Sequence, residues 1–195
     1  AGVSRNTDGW EAMCKLFSAG SKAVREAAET QNKEIQVALH FTDPQTKNWY
    51  NEVAAALAKY EVDYDVFASS YYPDIHGSME NITDVLQQVA TKYNKKVMVA
   101  ETAWSWTTED GDGNGSGFNP GKDVDYAVSI QGQINELRDV MNAVNSIENN
   151  AGIGVFYWEP AWIPVQYAYD ENGKLDAEIY KTNQEKWEKY GSGWA

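Results

Sequence analysis

Val97-Met98-Val99-Ala100-Glu101-Thr102-Ala103-Trp104-Ser105-Trp106 runs from four apolar residues into an acid and then into tryptophans. A short, unbroken apolar run reads as a strand buried on both faces, the kind found in parallel sheets. An acid closing such a strand is costly to bury unless it has a partner or a task. In a parallel α/β barrel the C-terminal ends of the strands are where chemistry sits. Glu101 is therefore the first candidate catalytic residue, and the rings that follow it suggest a substrate with flat apolar faces.

The segments on either side repeat the pattern. Trp10, Met13, Cys14, Phe17 and Val24 fall on one face of a helix that Thr7-Asp8 would cap. Strands are expected over residues 35–41, 64–72, 96–102 and 152–160. Helices between them carry Trp49, Val53, Ala56, Leu57 and Tyr60, then Met79, Ile82, Val85, Leu86 and Val89, then Ile130, Ile134, Leu137, Met141 and Val144. Strict alternation of helices with nearly all-apolar strands means parallel strands covered by helices. An open doubly wound sheet shares the alternation but usually carries a Gly-rich phosphate turn after its first strand, and none is found here. The fold expected is an α/β, (β/α)8 TIM barrel with only its second half present, in one domain spanning residues 1–195. A complete barrel takes eight such units and about 250 residues, so a chain cut at both ends is expected.

The 195 residues suffice for one domain with a core. The net charge of −13 argues against nucleic acid and against an anionic membrane surface, because both need clustered Lys and Arg. Core filling is the plain reading for most of the eight Trp and 12 Tyr, and the high Trp content equally suits stacking on the apolar faces of sugars. Cys14 is the only cysteine, so no intrachain disulfide forms, and its place on an apolar helix face marks it as a small buried hydrophobe.

Polar and aromatic groups gather at the strand ends: His40, Tyr71 and Tyr72, Glu101, Trp158 and Glu159. Glycoside hydrolysis uses two carboxyl groups flanking the scissile bond, and a strand-end Glu suits the nucleophile. The structural alternative for Glu101 is a Glu paired with an arginine or a helix terminus. Alternation along a strand sends Trp158 and Glu159 to opposite sides. Trp158 is the better sugar platform, which leaves Glu159 structural. Only one of Tyr71 and Tyr72 can face Glu101 for the same reason. His40 is placed to bond a sugar hydroxyl or orient a carboxylate, whereas His76 suits a capping or solvated role. His40, Asp43, Tyr72, Trp104 and Trp158 are the expected sugar contacts.

Asp110-Gly111-Asp112-Gly113-Asn114-Gly115 alternates oxygen side chains with glycine and matches the first half of a calcium loop. Position twelve is Gly121 rather than Glu, so the EF-hand pattern is incomplete. Ser116, Asn119, Asp123 or Asp125 would add oxygens toward the six to eight that calcium takes. The plainer alternative is a flexible acidic turn.

Long stretches of this chain resemble the arabinogalactan endo-β-1,4-galactanases of glycoside hydrolase family 53. They are 97–102, the Asp-Gly-Asp-Gly loop and 152–165, supported by 37–41, 65–73 and 190–195. The resemblance covers essentially the whole chain. It implies a (β/α)8 barrel whose strands five to eight lie here. It implies retaining cleavage of β-1,4-galactan, a pectic polysaccharide, in an extracellular or periplasmic setting. It makes Glu101 the nucleophile at the end of strand seven, and Trp158 the floor of the subsite where the bond breaks. It aligns Asp110, Asp112, Asn114 and Ser116 with a structural calcium loop. The family commonly has His and Asn where Asn114 and Ser116 stand.

One departure concerns the acid/base, which the family carries in a Gly-Asn-Glu motif absent from this chain. The register puts that motif just upstream of Ala1, so the missing N-terminal half of the barrel is an expected partner. Such a chain alone would protonate leaving groups poorly. A non-catalytic galactan-binding fragment, or another barrel glycosidase such as a mannanase or cellulase, are the competing readings.

Overall fold

The computed structural model describes residues 7–108, 118, 124–158, 166 and 168–190. Four strands form one sheet in the order β1-β2-β3-β4, every neighbouring pair parallel. They are β1 (Ala38–Phe41), β2 (Val66–Ser70), β3 (Lys96–Thr102) and β4 (Gly152–Tyr157). The helices are α1 (Thr7–Thr30), α2 (Trp49–Lys59), α3 (Met79–Tyr93), α4 (Ile130–Asn145) and α5 (Ala177–Tyr190). The first four form a continuous layer in which α1 touches α2, α2 touches α3 and α3 touches α4.

The core lies between that layer and the outer face of the sheet. Val53, Leu57, Phe67, Leu86, Val89, Val97, Val99, Val140 and Val144 are buried there, with Trp10, Met13, Phe17 and Val24 of α1 packed against them. Cys14 belongs to the same core and points its thiol at the Ala56 carbonyl, 3.8 Å away. Val66, Ala68, Met98 and Ala100 form a second, smaller cluster. The two clusters divide β2 and β3 by alternation, even positions of β2 to one side and odd positions to the other.

Local chemistry sets the boundaries. Ser78 and Ser129 cap α3 and α4 by accepting from the Asn81 and Gly132 amides. Asn94 ends α3 in the left-handed conformation that asparagine tolerates. Gly152 opens β4 so close to the Val144 carbonyl that a Cβ would lie 1.8 Å from its oxygen. The strand expected from residue 35 begins only at Ala38. Side chains take the backbone groups before it: Asp65 accepts the Val37 amide at 2.7 Å, and Arg25 donates to the Ile35 carbonyl at 2.8 Å. Arg25 also pairs with Asp63 and Asp65, tying α1 to the chain entering β2. The second strand likewise spans Val66–Ser70 rather than 64–72. Glu159 and Pro160, expected to end the fourth, lie outside the described residues.

Sequence periodicity did not single out α5. Its apolar content is low, and its start is marked instead by Asp176, whose carboxylate accepts the amides of Glu178 and Ile179.

Candidate active site

Glu101 reaches the site through an irregularity in β3. Ser69 of β2 pairs with Val99, but Ser70 pairs with Glu101, so β3 carries one extra residue between them. The same extra residue appears against β4, where Val99 pairs with Val155 and Thr102 with Tyr157. A bulge of this kind re-aims the side chains that follow it. Regular alternation from Val97 and Val99, which face the helices, would send Glu101 to the helices as well. With the bulge at Ala100, Glu101 instead meets side chains of β1 and β2, and Thr102 meets α4.

Three groups surround the Glu101 carboxylate. Ser70 donates to Oε2 at 3.0 Å, and the Tyr72 hydroxyl donates to the same oxygen at 3.2 Å. His40 lies beside them, Nε2 2.9 Å from Ser70 Oγ and Nδ1 3.8 Å from Glu101 Oε1. Because Ser70 spends its proton on Glu101, the His40–Ser70 bond needs the imidazole proton on Nε2. The 3.8 Å contact is too long for a hydrogen bond. One carboxylate oxygen is thus held by two hydroxyls, and Oε1 faces the imidazole. Glu101 keeps 23 % of its side chain exposed, enough to be reached from the mouth.

Tyr72, not Tyr71, faces the acid. Tyr71 turns into the core and donates to the Gly77 carbonyl at 3.0 Å, and burial pushes its phenol well above the ordinary range. His76 takes the capping role expected for it, but buried rather than solvated. It is buried, its Nδ1 accepts the Tyr72 amide at 3.0 Å, and its Nε2 lies 3.3 Å from Thr42 Oγ1. Burial lowers its pKa, in keeping with a neutral ring that receives one proton and offers the other. Its task is to fix the turn that presents Tyr72.

An open groove of ≈ 1050 Å³ adjoins this cluster, sharing Tyr72 and walled by Trp106, Phe118, Gln133, Tyr157 and Trp158. Trp158 is 45 % exposed and Trp106 54 % exposed, so both present ring surface. Trp104 does not. It offers an edge to the wall but is 1 % exposed, with Phe118 and Tyr126 against its ring and its indole N–H on the Ala127 carbonyl. The sugar contact expected at Trp104 thus falls on a residue of the groove lining whose ring is buried against Phe118 and Tyr126. Gln133 Nε2 donates to the Trp104 carbonyl at 2.7 Å, and the Tyr157 hydroxyl donates to it at 3.0 Å. Asp43 is exposed in the loop after β1, in a left-handed conformation, with Gln45 donating to its carboxylate at 3.4 Å.

Ser70 and Trp106 were not selected from the sequence. A serine inside an apolar strand was the available signal for the first, and the tryptophan two places beyond Trp104 for the second. Asp110, Asp112, Asn114 and Ser116 lie outside the described residues, and among the described residues no three His, Cys, Asp or Glu side chains group as a metal site.

Comparison with known proteins points one way. Residues 2–195 match the model of glycosyl hydrolase family 53. An endo-beta-1,4-galactanase of Bacillus subtilis is 52 % identical over 195 residues, all of this chain and 42 % of that protein. An arabinogalactan endo-beta-1,4-galactanase of Cellvibrio japonicus is 33 % identical over 158 residues, covering 79 % of this chain and 40 % of the relative. A family 53 catalytic domain from Ignisphaera aggregans superposes with a TM-score of 0.72 at 28 % identity, over 88 % of this chain and 51 % of that one. The chain thus spans about two fifths of the curated relatives it matches.

Proposed function

The chain belongs to glycosyl hydrolase family 53, and from that premise we propose that it carries the nucleophile of a retaining endo-β-1,4-galactanase acting on the galactan of pectin outside the cell. Its four parallel strands are successive units of a (β/α)8 barrel. The observation that carries the reading is the Glu101 carboxylate, turned into the mouth by a bulge, held on one oxygen by Ser70 and Tyr72, and set beside an aromatic groove.

With Oε2 fixed by two hydroxyls, Oε1 is the atom free to attack the anomeric carbon. Attack forms a glycosyl ester on Glu101 while a general acid protonates the departing oxygen. The same group, now a base, then takes a proton from water, which attacks the anomeric carbon, releases the Glu101 carboxylate and restores the configuration. That acid/base is a second carboxyl. Among the described residues none is hydrogen-bonded to Glu101, Ser70 or His40. Trp158 and Trp106 supply flat surfaces for the sugar rings, and His40 orients Ser70 for its bond to Glu101.

Galactan, mannan and cellulose are offered to the full-length protein, and the anomer first released is read by proton NMR. Release of the β-anomer from galactan alone is expected. Release of the α-anomer would remove the double-displacement mechanism. Binding of galactan without turnover would favour a non-catalytic binding module. Tyr72→Phe deletes one hydroxyl from the charged carboxylate and is expected to lower kcat about tenfold or more. An unchanged kcat would detach Tyr72 from the nucleophile.

Calcium is the proposed structural ion. Asp110, Asp112, Asn114 and Ser116 offer hard oxygen donors, the chemistry that calcium takes. A bound ion would cross-link the loop that follows the tryptophans. At saturations near a hundredfold over Kd such an ion contributes about 2.7 kcal/mol to stability. EDTA is therefore expected to lower the Tm and added calcium to restore it. A Tm that ignores both would return the loop to a plain acidic turn.

A further inference from the structure

Behind the bulge lies a carboxyl with no part in the chemistry described above. Glu136 of α4 is 0 % exposed, and so is Thr102, whose hydroxyl donates to Glu136 Oε1 at 2.6 Å. Among the described residues Oε2 has no hydrogen-bond partner. A buried carboxyl with an orphaned oxygen is costly, and an apolar residue of similar size would ordinarily serve packing better. Glu136 therefore calls for a reason beyond filling space.

Its position supplies one. Gln133 and Glu136 are three residues apart and so share a face of α4. The first holds the Trp104 carbonyl and the second the Thr102 hydroxyl. Helix α4 is in this way strapped across the end of β3, gripping the residues immediately beyond the bulge. Backbone bonds converge on Glu101 and Thr102. The Tyr71 amide donates to the Glu101 carbonyl at 2.8 Å, and the Trp158 amide to the Thr102 carbonyl at 2.8 Å. A one-residue slip here would exchange the faces of Glu101 and Thr102, taking the carboxylate out of the mouth.

We propose that Glu136 is a positioning residue for Glu101: by holding the Thr102 hydroxyl on the helix side of β3, it locks the bulge at Ala100 that turns Glu101 toward His40, Ser70 and Tyr72. The proposal rests on the reading of Glu101 as nucleophile only for its kinetic consequence; the lock itself is a statement about the strand. It differs from a packing role because it needs an acceptor at 136 and a hydroxyl at 102, not volume.

The test uses Thr102→Val, Thr102→Ser, Glu136→Leu, Glu136→Gln and the double Thr102→Val/Glu136→Leu in the full-length protein. Displacement of a reacting atom by about 1 Å costs on the order of 10²-fold. Thr102→Val and Glu136→Leu are accordingly expected to lose about that much kcat on galactan with KM nearly unchanged. Thr102→Ser and Glu136→Gln, which keep the hydroxyl and the acceptor, are expected to retain activity within about threefold. The double variant should be no worse than the poorer single, since both break one link. A normal kcat in Thr102→Val, or a Glu136→Gln as poor as Glu136→Leu, overturns the lock. If Glu136→Leu fails to fold, the Thr102 pair decides alone. If the parent protein leaves galactan intact, the galactanase reading fails and amide exchange decides the lock. Faster exchange of the Tyr71 and Trp158 amides in Thr102→Val but not in Thr102→Ser supports it, and unchanged exchange in both removes it.

Discussion

Glu101→Gln in the full-length protein is expected to abolish galactan turnover, lowering kcat by roughly 10⁴-fold or more, as loss of a nucleophile does in other covalent catalysts. The amide is nearly isosteric. Its oxygen still accepts from Ser70 and Tyr72, which now donate to Oε2 at 3.0 and 3.2 Å. Folding should therefore be spared, with a Tm within about 2 °C of the parent, the small effect usual for substitutions that leave packing intact. What is lost is the negative oxygen that forms the glycosyl ester. The complementary test is Glu101→Gly with azide and an activated aryl galactoside. Azide filling the vacated position should yield the α-galactosyl azide, because one displacement inverts where two retain. A β-azide would instead mark Glu101 as the acid/base, and undiminished turnover in Glu101→Gln would remove it from the reaction.

The second large effect concerns stability. Burial pushes the Glu136 carboxyl up to about 7, with the Thr102 hydrogen bond opposing that shift and Asp139 and Asp74 adding to it. The groups around it are Tyr71 after β2, Asp74 in the loop beyond, Tyr126 before α4, and Asp139 on α4 itself; none is a cation. The folded state therefore holds this proton more tightly than the unfolded chain. Its contribution is complete below about 4.5 and is lost as pH rises through about 7. The span amounts to on the order of 3 kcal/mol, or about 10 °C in Tm for a chain of this size. Glu136→Gln cannot ionise. The difference in Tm between variant and parent should be small at pH 4.5 and should grow in favour of the variant toward pH 8. Scanning calorimetry of both proteins across that range reads it directly, and the subtraction cancels other groups such as Asp63, whose carboxyl Arg25 holds low. A difference that stays flat with pH would mean Glu136 is already ionised in the fold.

Much of this architecture was legible in residue pattern. The third strand was expected at residues 96–102 and occupies Lys96–Thr102, because its apolar run is bounded by charge on one side and by Glu101 on the other. The apolar faces of α1 through α3 lie on the core as their spacing required. On α4 the expected face is corrected: Val144 is in the core, but Ile130, Ile134 and Met141 are exposed, and the helix turns Gly132, Glu136 and Val140 inward instead. The parallel order also followed, since helix-linked strands have few other ways to bury two apolar faces. The site was legible in kind: an acid at a strand end, tyrosines one strand away and a tryptophan at the next.

Other features depended on contacts between distant residues. Alternation counted from Val97 puts Glu101 on the wrong side, and only pairing with β2 and β4 reveals the inserted residue that corrects it. Trp104 and Trp106 are indistinguishable as letters, yet Phe118 and Tyr126 cover the first and leave the second open. His76 reads as a loop residue until Thr42 and the Tyr72 amide close around it. Glu136 reads as a solvated helix position until Thr102 meets it. Period and composition sufficed to say that Glu101 ends a buried parallel strand, because apolar residues must be hidden wherever they lie. Which way its carboxylate points was settled in three dimensions, because a bulge is a mismatch between neighbouring strands and no single strand contains it.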